Sequence, residues 1–453
     1  MPEAAAARAR IPGMSVAQRS IAILVAALVV GAVVVLGLNL VGRDGTSTTS
    51  GDPSRSASAS STATGAATET PSASPDASAP TDDETLAILT EIEEQIEAIR
   101  GLEPADIGAP DLITRDELRV ELEQIFDEEY PQEERDRDNL ALRAFGLLTP
   151  DQDVAELQLS LLGDGVLGFY DDTDRRMVVV TDAGLDAVAK LTYAHEYTHA
   201  LQDAAFGLDS LETDAVGEDD RGLARTALIE GDANTTMLAW AFGGHLTQAE
   251  ILSLQDMPLP DTSGIPSWMV AQLDFPYTIG QAWVLDLAGG NMQAPDFTEV
   301  NAAYLEPPSS TEQVIDVDAY RAREEPIPVE LPDLATALGA GWEEVDTSPV
   351  GEATIGIILE FFGVPFDDAG LAADGWGGDR ATVVTGPGGD FALAWRLAWD
   401  APADAGEFVA AYEIALGALG FPASVRQLPG GDVLVVHAST EAIHDATVGA
   451  AGG

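Results

Sequence analysis

Five residues near the middle of the chain are spaced to do chemistry: His195-Glu196-Tyr197-Thr198-His199. On a helix, residues four apart share a face. His195 and His199 then point the same way, one turn apart, with Glu196 beside them. Two imidazoles so placed are ligands for a zinc ion, and the adjoining carboxylate is a base for a water that the metal activates. The chain has only five histidines, so this spacing rarely arises by chance. The bland alternative is a helix whose two histidines meet buried polar partners.

Two histidines leave a catalytic zinc one protein ligand short. A third histidine six residues on, with a glycine midway, is one known completion, but Gln202 and Ala205 stand at those positions. A carboxylate from a second helix is the other. Glu230, within Ala227-Leu228-Ile229-Glu230-Gly231-Asp232-Ala233-Asn234, is the choice, because an unpaired acid in such apolar surroundings is costly to bury. Gly231 costs that helix about 1 kcal/mol relative to Ala, which points to a close approach to the histidine helix. The alternative for Glu230 is an acid on a wet helix face. Glu212 and Glu218, in an expected loop, are weaker candidates, and His245 is the runner-up ligand.

The segment His195 to Asp203 (HEYTHALQD), followed by Leu228 to Ala233 (LIEGDA), resembles the gluzincin branch of zinc metallopeptidases. Uncharacterised membrane-anchored or secreted bacterial members are most similar. Phe275-Pro276-Tyr277 and Gly375-Trp376-Gly377-Gly378-Asp379-Arg380 are also similar to segments of such proteins. The resemblance covers most of the chain after residue 82, but only the zinc motif is diagnostic. It implies a zincin-like fold, a Zn2+ cofactor with Glu230 as third ligand, and hydrolysis of peptide bonds in a peptide or protein substrate with Glu196 as the base. It also implies an acid that orients a ligand histidine. In thermolysin-like members that acid lies four residues after the ligand glutamate, where this chain has Asn234. Asp232, or Asn234 as a neutral partner, takes that task here. Tyr277 is the candidate donor to the oxyanion, because it follows a stiff proline and precedes a helix-like run over 280–288; the alternative is a core tyrosine.

The elements that must position these groups read as an α+β protein: a mainly helical catalytic unit with a small β-sheet, then a small C-terminal ββαββ unit. Helices are expected over 83–100, 115–129, 133–145, 185–205 and 221–242, from apolar residues at helical spacing. A hairpin joins 166–170 to 176–180 through Asp171-Asp172-Thr173-Asp174, an acidic turn that is either solvated or a calcium loop. After Gly243, with Pro258, Pro260 and Pro266, the chain reads as irregular. Strands over 381–384 and 391–399, a helix over 404–419, and strands over 424–427 and 433–437 make the C-terminal unit. The 375–380 segment lacks the Lys-Ser/Thr of a phosphate loop and reads as a tight turn into a strand.

Residues 21–41 are apolar apart from Asn39, long enough to span a bilayer, and preceded by Arg8, Arg10 and Arg19. The positive-inside rule then leaves everything after Arg43 outside. A cleaved signal peptide fits less well, because no small-residue cleavage site follows the run. The expected organisation is a cytoplasmic tail (1–20), an anchor (21–41), a Ser/Thr/Ala/Pro tether (42–82), an N-terminal helical layer (83–150), the catalytic unit (151–370) and the C-terminal unit (371–453). The chain has no cysteine, which excludes disulfides, thiolate nucleophiles and iron–sulfur clusters. Its net charge of −56 argues against nucleic acid as a partner. The single lysine among twenty-one basic residues reflects genome composition rather than function. Two other functions stay open: a non-catalytic exported binding protein that keeps a zincin fold, and a metal-dependent hydrolase of another bond.

Overall fold

A computed structural model describes residues 81–162, 166–181, 184–255 and 262–452. The expected tail, anchor and nearly all of the tether lie outside the described residues. None of the described helices is long and apolar enough to cross a membrane.

The described residues open on a capping box. Thr81 accepts from the Glu84 amide while the Glu84 side chain accepts from the Thr81 amide, which opens α1 (Asp82–Arg100). Leu89, Ile92 and Ile96 on its inner face are buried. Helices α2 (Arg115–Glu129), α3 (Gln132–Phe145) and α4 (Val154–Leu162) follow. Strands β2 (Gly168–Asp171) and β3 (Arg176–Val180) form the expected hairpin. A short β1 (Asp111–Ile113) pairs parallel to β3, giving a three-stranded sheet of order β1-β3-β2. β2 is therefore an edge strand. In its turn, Asp171 accepts from the amides of Thr173 and Asp174, the side-chain-to-backbone closure that favours Asp at such positions.

The histidine helix α5 (Ala187–Phe206) is capped by Asp186, whose side chain accepts from the Ala189 amide at 2.9 Å. Leu191 to Thr198 are buried without interruption. A helix enclosed on all sides packs through every face, and its neighbours are α1, β2, and α6 (Asp219–Trp240). After α6 come α7 (Gln248–Gln255) and a 21-residue helix, α8 (Ser267–Leu287). The latter corrects the irregular region expected after Gly243. Pro276 sits inside α8 rather than ahead of it, and packing on both sides keeps the helix continuous across the missing amide.

Among the described elements, α6 and α8 share the most extensive contact. A Cβ added at Gly231 would lie 2.4 Å from the Gly280 carbonyl oxygen, and one at Gly280 would lie 2.6 Å from the Ala227 carbonyl oxygen. Gly231 thus permits close approach to α8, not to the histidine helix as expected.

Short helices α9 (Thr298–Leu305), α10 (Glu312–Ile315), α11 (Val317–Ala322) and α12 (Leu334–Leu338) lead into a second sheet. Its strands are β4 (Glu343–Ser348), β5 (Trp376–Thr385), β6 (Phe391–Trp399), β7 (Ala423–Gln427) and β8 (Val433–Ala438), antiparallel in the order β4-β5-β6-β8-β7. α13 (Gly351–Phe361) and α14 (Phe366–Ala373) intervene before β5, and α15 (Pro402–Leu416) before β7. The expected ββαββ order is present, with two additions: β4 at one edge, and a final helix α16 (Glu441–Ala451). Side chains alternate across this sheet. Leu393, Trp395 and Leu397 meet Phe408 and Tyr412 of α15 on one face. Ala392 and Ala394 meet Leu334 and Ala451 on the other.

Asp379, in the segment 375–380, accepts from the amides of Val350 (2.8 Å) and Gly351 (3.0 Å) and from the indoles of Trp376 (2.9 Å) and Trp395 (2.7 Å). A buried carboxylate so satisfied holds the start of α13 against β5. The segment is a turn into a strand.

Candidate metal centre

Helices α5 and α6 lie side by side, and their facing residues bring three of the sequence candidates together. His195 Nε2 lies 3.1 Å from Glu230 Oε2, His199 Nε2 lies 3.4 Å from the same oxygen, and the two Nε2 atoms are 3.0 Å apart. Ligands about 2.0–2.1 Å from one tetrahedral centre are separated by about 3.3–3.4 Å, so the triangle has the size of a zinc ligand set. His195 and Glu230 are buried; the His199 side chain retains 11% of its exposure.

Hydrogen bonds outside the triangle decide what its atoms offer. Gln202 donates through Nε2 to the Ile229 carbonyl (3.0 Å) and to Asp232 Oδ2 (3.0 Å). Its Oε1 therefore faces His199 Nδ1, at 2.9 Å. That ring nitrogen carries a proton, so in the neutral ring the lone pair lies on His199 Nε2. Asn234 donates through Nδ2 to the Tyr277 carbonyl at 3.1 Å. This turns its Oδ1 away from that bond; Oδ1 and His195 Nδ1 are both buried without another partner, and the Asn234 side chain favours the charged form of His195. A proton on His195 Nδ1 directed at Asn234 Oδ1 would leave a lone pair on His195 Nε2. With both imidazoles neutral in this tautomer, three electron-pair donors converge on one point, an arrangement that suits a metal cation. On this test the residues fit a zinc ion.

The electrostatics favour positive charge at the same point. Burial alone would raise the Glu230 carboxyl, but the His199 charge and the hydrogen bonds of both histidines bring it down to about 2. Burial alone would lower His199, but the charge and hydrogen bond of Glu230 raise it to about 9. Glu230 is held as an anion, and a positive charge is favoured beside it.

Asp232, proposed above as the orienting acid, reaches His199 through Gln202 rather than directly. It is itself fixed by Arg100 Nε (2.8 and 3.1 Å), Arg100 Nη2 (3.0 Å) and the Tyr304 hydroxyl (2.9 Å). This buried pair joins α1 to α6, with neither side chain exposed. Sequence reasoning found Asp232 and Asn234 but missed Gln202, which entered only at the glycine position of a third-histidine pattern that the chain lacks. Its one signal was its place three residues after His199, on the same helical face.

Glu196 lies beside the triangle and is 1% exposed. The Tyr170 amide of β2 donates to its Oε2 at 3.1 Å, and its Oε1 is buried without a partner. Burial pushes its carboxyl up to about 8; the His199 charge and the Tyr170 amide oppose that rise and Glu230 adds to it. Tyr277 is also at the site. Its ring stacks on His195 with centroids 6.1 Å apart, and burial and the negative charge of Glu230, to which its hydroxyl donates, hold its pKa well above the ordinary tyrosine value.

The other candidates lie elsewhere. His245 is exposed and stacks on Trp240, with centroids 5.8 Å apart. Glu212 faces Arg225 and Glu218 faces Arg221, each at 3.7 Å. Neither acid, nor His245, belongs to the cluster of His195, His199 and Glu230.

A family profile described as a domain of unknown function (DUF8575) matches residues 337–446. That span is the second sheet with α13 to α15 and the start of α16; the candidate metal centre lies before it in the chain. No curated protein and no solved structure matches the chain.

Proposed function

We propose that the chain is a zinc-dependent peptidase with a zincin-like catalytic unit, in which His195, His199 and Glu230 hold the metal and Glu196 is the catalytic base. The observation that carries this reading is the convergence of two imidazole nitrogens and a carboxylate oxygen within 3.4 Å, beside a carboxylate that is not one of them. A zinc ion held there would act as a Lewis acid, acidifying water and polarising a substrate carbonyl. The chain's own groups do the rest. The Tyr170 amide fixes one oxygen of Glu196, leaving Oε1 to accept a proton from the attacking water and return it to the leaving amine. Tyr277 supplies a hydroxyl next to Glu230 for the developing oxyanion. β2 is an edge strand beside Glu196, and pairing of an extended peptide along such an edge would favour a peptide over other hydrolysable substrates.

Metal analysis and digestion of a broad peptide library, run on wild type and Glu196→Gln, test this reading. The substitution should keep the metal and abolish hydrolysis, since an amide cannot accept the proton. Equal hydrolysis by the two proteins would remove Glu196 as base. We further propose, on the sequence of residues 1–43, that the folded part is anchored outside the cytoplasmic membrane. Protease added to intact spheroplasts should then shave it off, and full protection would reverse the orientation.

A further inference from the structure

A second group of acids lies far along the chain from the first. Glu312 opens α10, Glu324 follows α11, and Asp400 follows β6. One carboxylate oxygen from each lies within 4.8 Å of the others. Calcium takes about six to eight oxygens in flexible geometry, which suits carboxylates brought from three separate segments, whereas magnesium demands near-ideal octahedral geometry. The set contains no imidazole and no sulfur, so its chemistry suits a hard cation rather than zinc.

Burial supplies the independent observation. Glu312 is only 9% exposed, and Glu352, on the neighbouring α13, only 7%. Among the described residues, neither carboxylate has a hydrogen-bond donor or a basic partner. The charges that act most strongly on Glu312 are Asp400, Glu324, Asp220 and Asp316; on Glu352 they are Glu312, Asp374, Asp220 and Asp316. Burial, followed by these like charges, pushes both carboxyls up to about 8. Buried acids are ordinarily paired or bound to a metal. The backbone around the group is firmly held. Gln313 Nε2 donates to the Glu324 carbonyl (2.6 Å), the Ile327 amide to the Gly377 carbonyl (2.6 Å), and the Asp400 amide to the Gly375 carbonyl (3.0 Å).

We propose that Glu312, Glu324 and Asp400, backed by Glu352, form a site for a calcium-class divalent cation that ties α10 and the chain after α11 to the end of β6. The site joins the region before the second sheet to the sheet itself. It does not depend on the peptidase reading.

The test is equilibrium dialysis of the calcium-stripped full chain against radioactive calcium, with thermal unfolding followed in parallel. Wild type should bind calcium saturably at concentrations below about 1 mM, and its melting temperature should rise with calcium and much less with magnesium. Glu312→Gln and Asp400→Asn should each lose one bound calcium per chain and the thermal response. Asp400→Asn alters an exposed side chain, so it keeps the test valid if the buried variant folds poorly. Asp171→Asn should retain the response. Absence of saturable calcium binding by wild type, or an undiminished response in both Glu312→Gln and Asp400→Asn, would overturn the proposal; the carboxylates would then share protons instead.

Discussion

Replacing Gln202 by Leu separates the metal centre from the fold that supports it. The side chains are similar in volume, so packing between α5 and α6 is largely kept. Three bonds go: the 2.9 Å bond to His199 Nδ1 and the two 3.0 Å bonds from Nε2 to the Ile229 carbonyl and to Asp232. Asp232 keeps Arg100 and Tyr304, so no charge is left unpaired, and the loss of global stability should be about 1–2 kcal/mol. His199, however, loses the acceptor that fixes its tautomer. Loss of such a partner typically lowers metal affinity 10–100-fold, about 1.4–2.7 kcal/mol. Asp232→Ala should behave in the opposite way, leaving Arg100 buried without its counter-ion at a cost of about 3–5 kcal/mol in stability. Competitive zinc titration against a chromophoric chelator, with urea unfolding of the metal-free proteins, reads both quantities. Zinc affinity for Gln202→Leu within twofold of wild type would refute the assignment of Gln202 as the group that sets His199.

Gly231→Ala should destabilise by about 3 kcal/mol or more, because the new methyl meets backbone atoms of Gly280 and Gln281 that cannot rotate away; Gly406→Ala, in open space within α15, should be neutral or stabilising in the same urea assay. Stability should fall as pH rises. Asp138 is pushed up to about 7, mainly by burial and against the Tyr130 hydrogen bond, and Asp219 and Asp346 are raised with it. Between about pH 4, the ordinary carboxylate value, and pH 7 the folded chain holds protons that the unfolded chain has lost. The associated stability is complete below that window and lost through it. Unfolding at pH 5 and pH 8 should differ by about 2 kcal/mol or more from these groups, with a smaller difference in Asp138→Asn; an unchanged slope in that variant would remove Asp138 as a source. Tyr277→Phe should bind zinc normally yet turn over peptide roughly 10²–10³-fold more slowly; near-normal turnover would take Tyr277 out of the mechanism.

The histidine helix was legible because its motif is local: five consecutive residues and a helical period suffice. Glu230 was legible for a different reason, as an acid in an apolar run that must find something to bind. The roles of Gln202 and Asp232 were not, because they depend on which α6 residues face which α5 residues, and that register is set by packing between segments about thirty residues apart. α8 was missed because its prolines signal breaks and its burial on several faces blurs the polar–apolar period that marks a helix. β4, which reads Glu-Glu-Val-Asp-Thr-Ser, lacks the composition of a strand; as a charged edge it is recruited by β5 rather than by its own propensity. The acids around Glu312 are spread over about ninety residues and share no motif, so only the fold brings them together.

The central claim is that His195, His199 and Glu230 form one zinc site, and zinc stoichiometry with zinc X-ray absorption on the full chain tests it most directly. The account predicts about one zinc per chain, with two imidazole nitrogens and a carboxylate oxygen at about 2.0–2.2 Å. The metal should be lost in His195→Ala, His199→Ala and Glu230→Ala and retained in Glu196→Gln and His245→Ala. Absence of zinc from the wild-type chain, or full retention of zinc by Glu230→Ala, would contradict it.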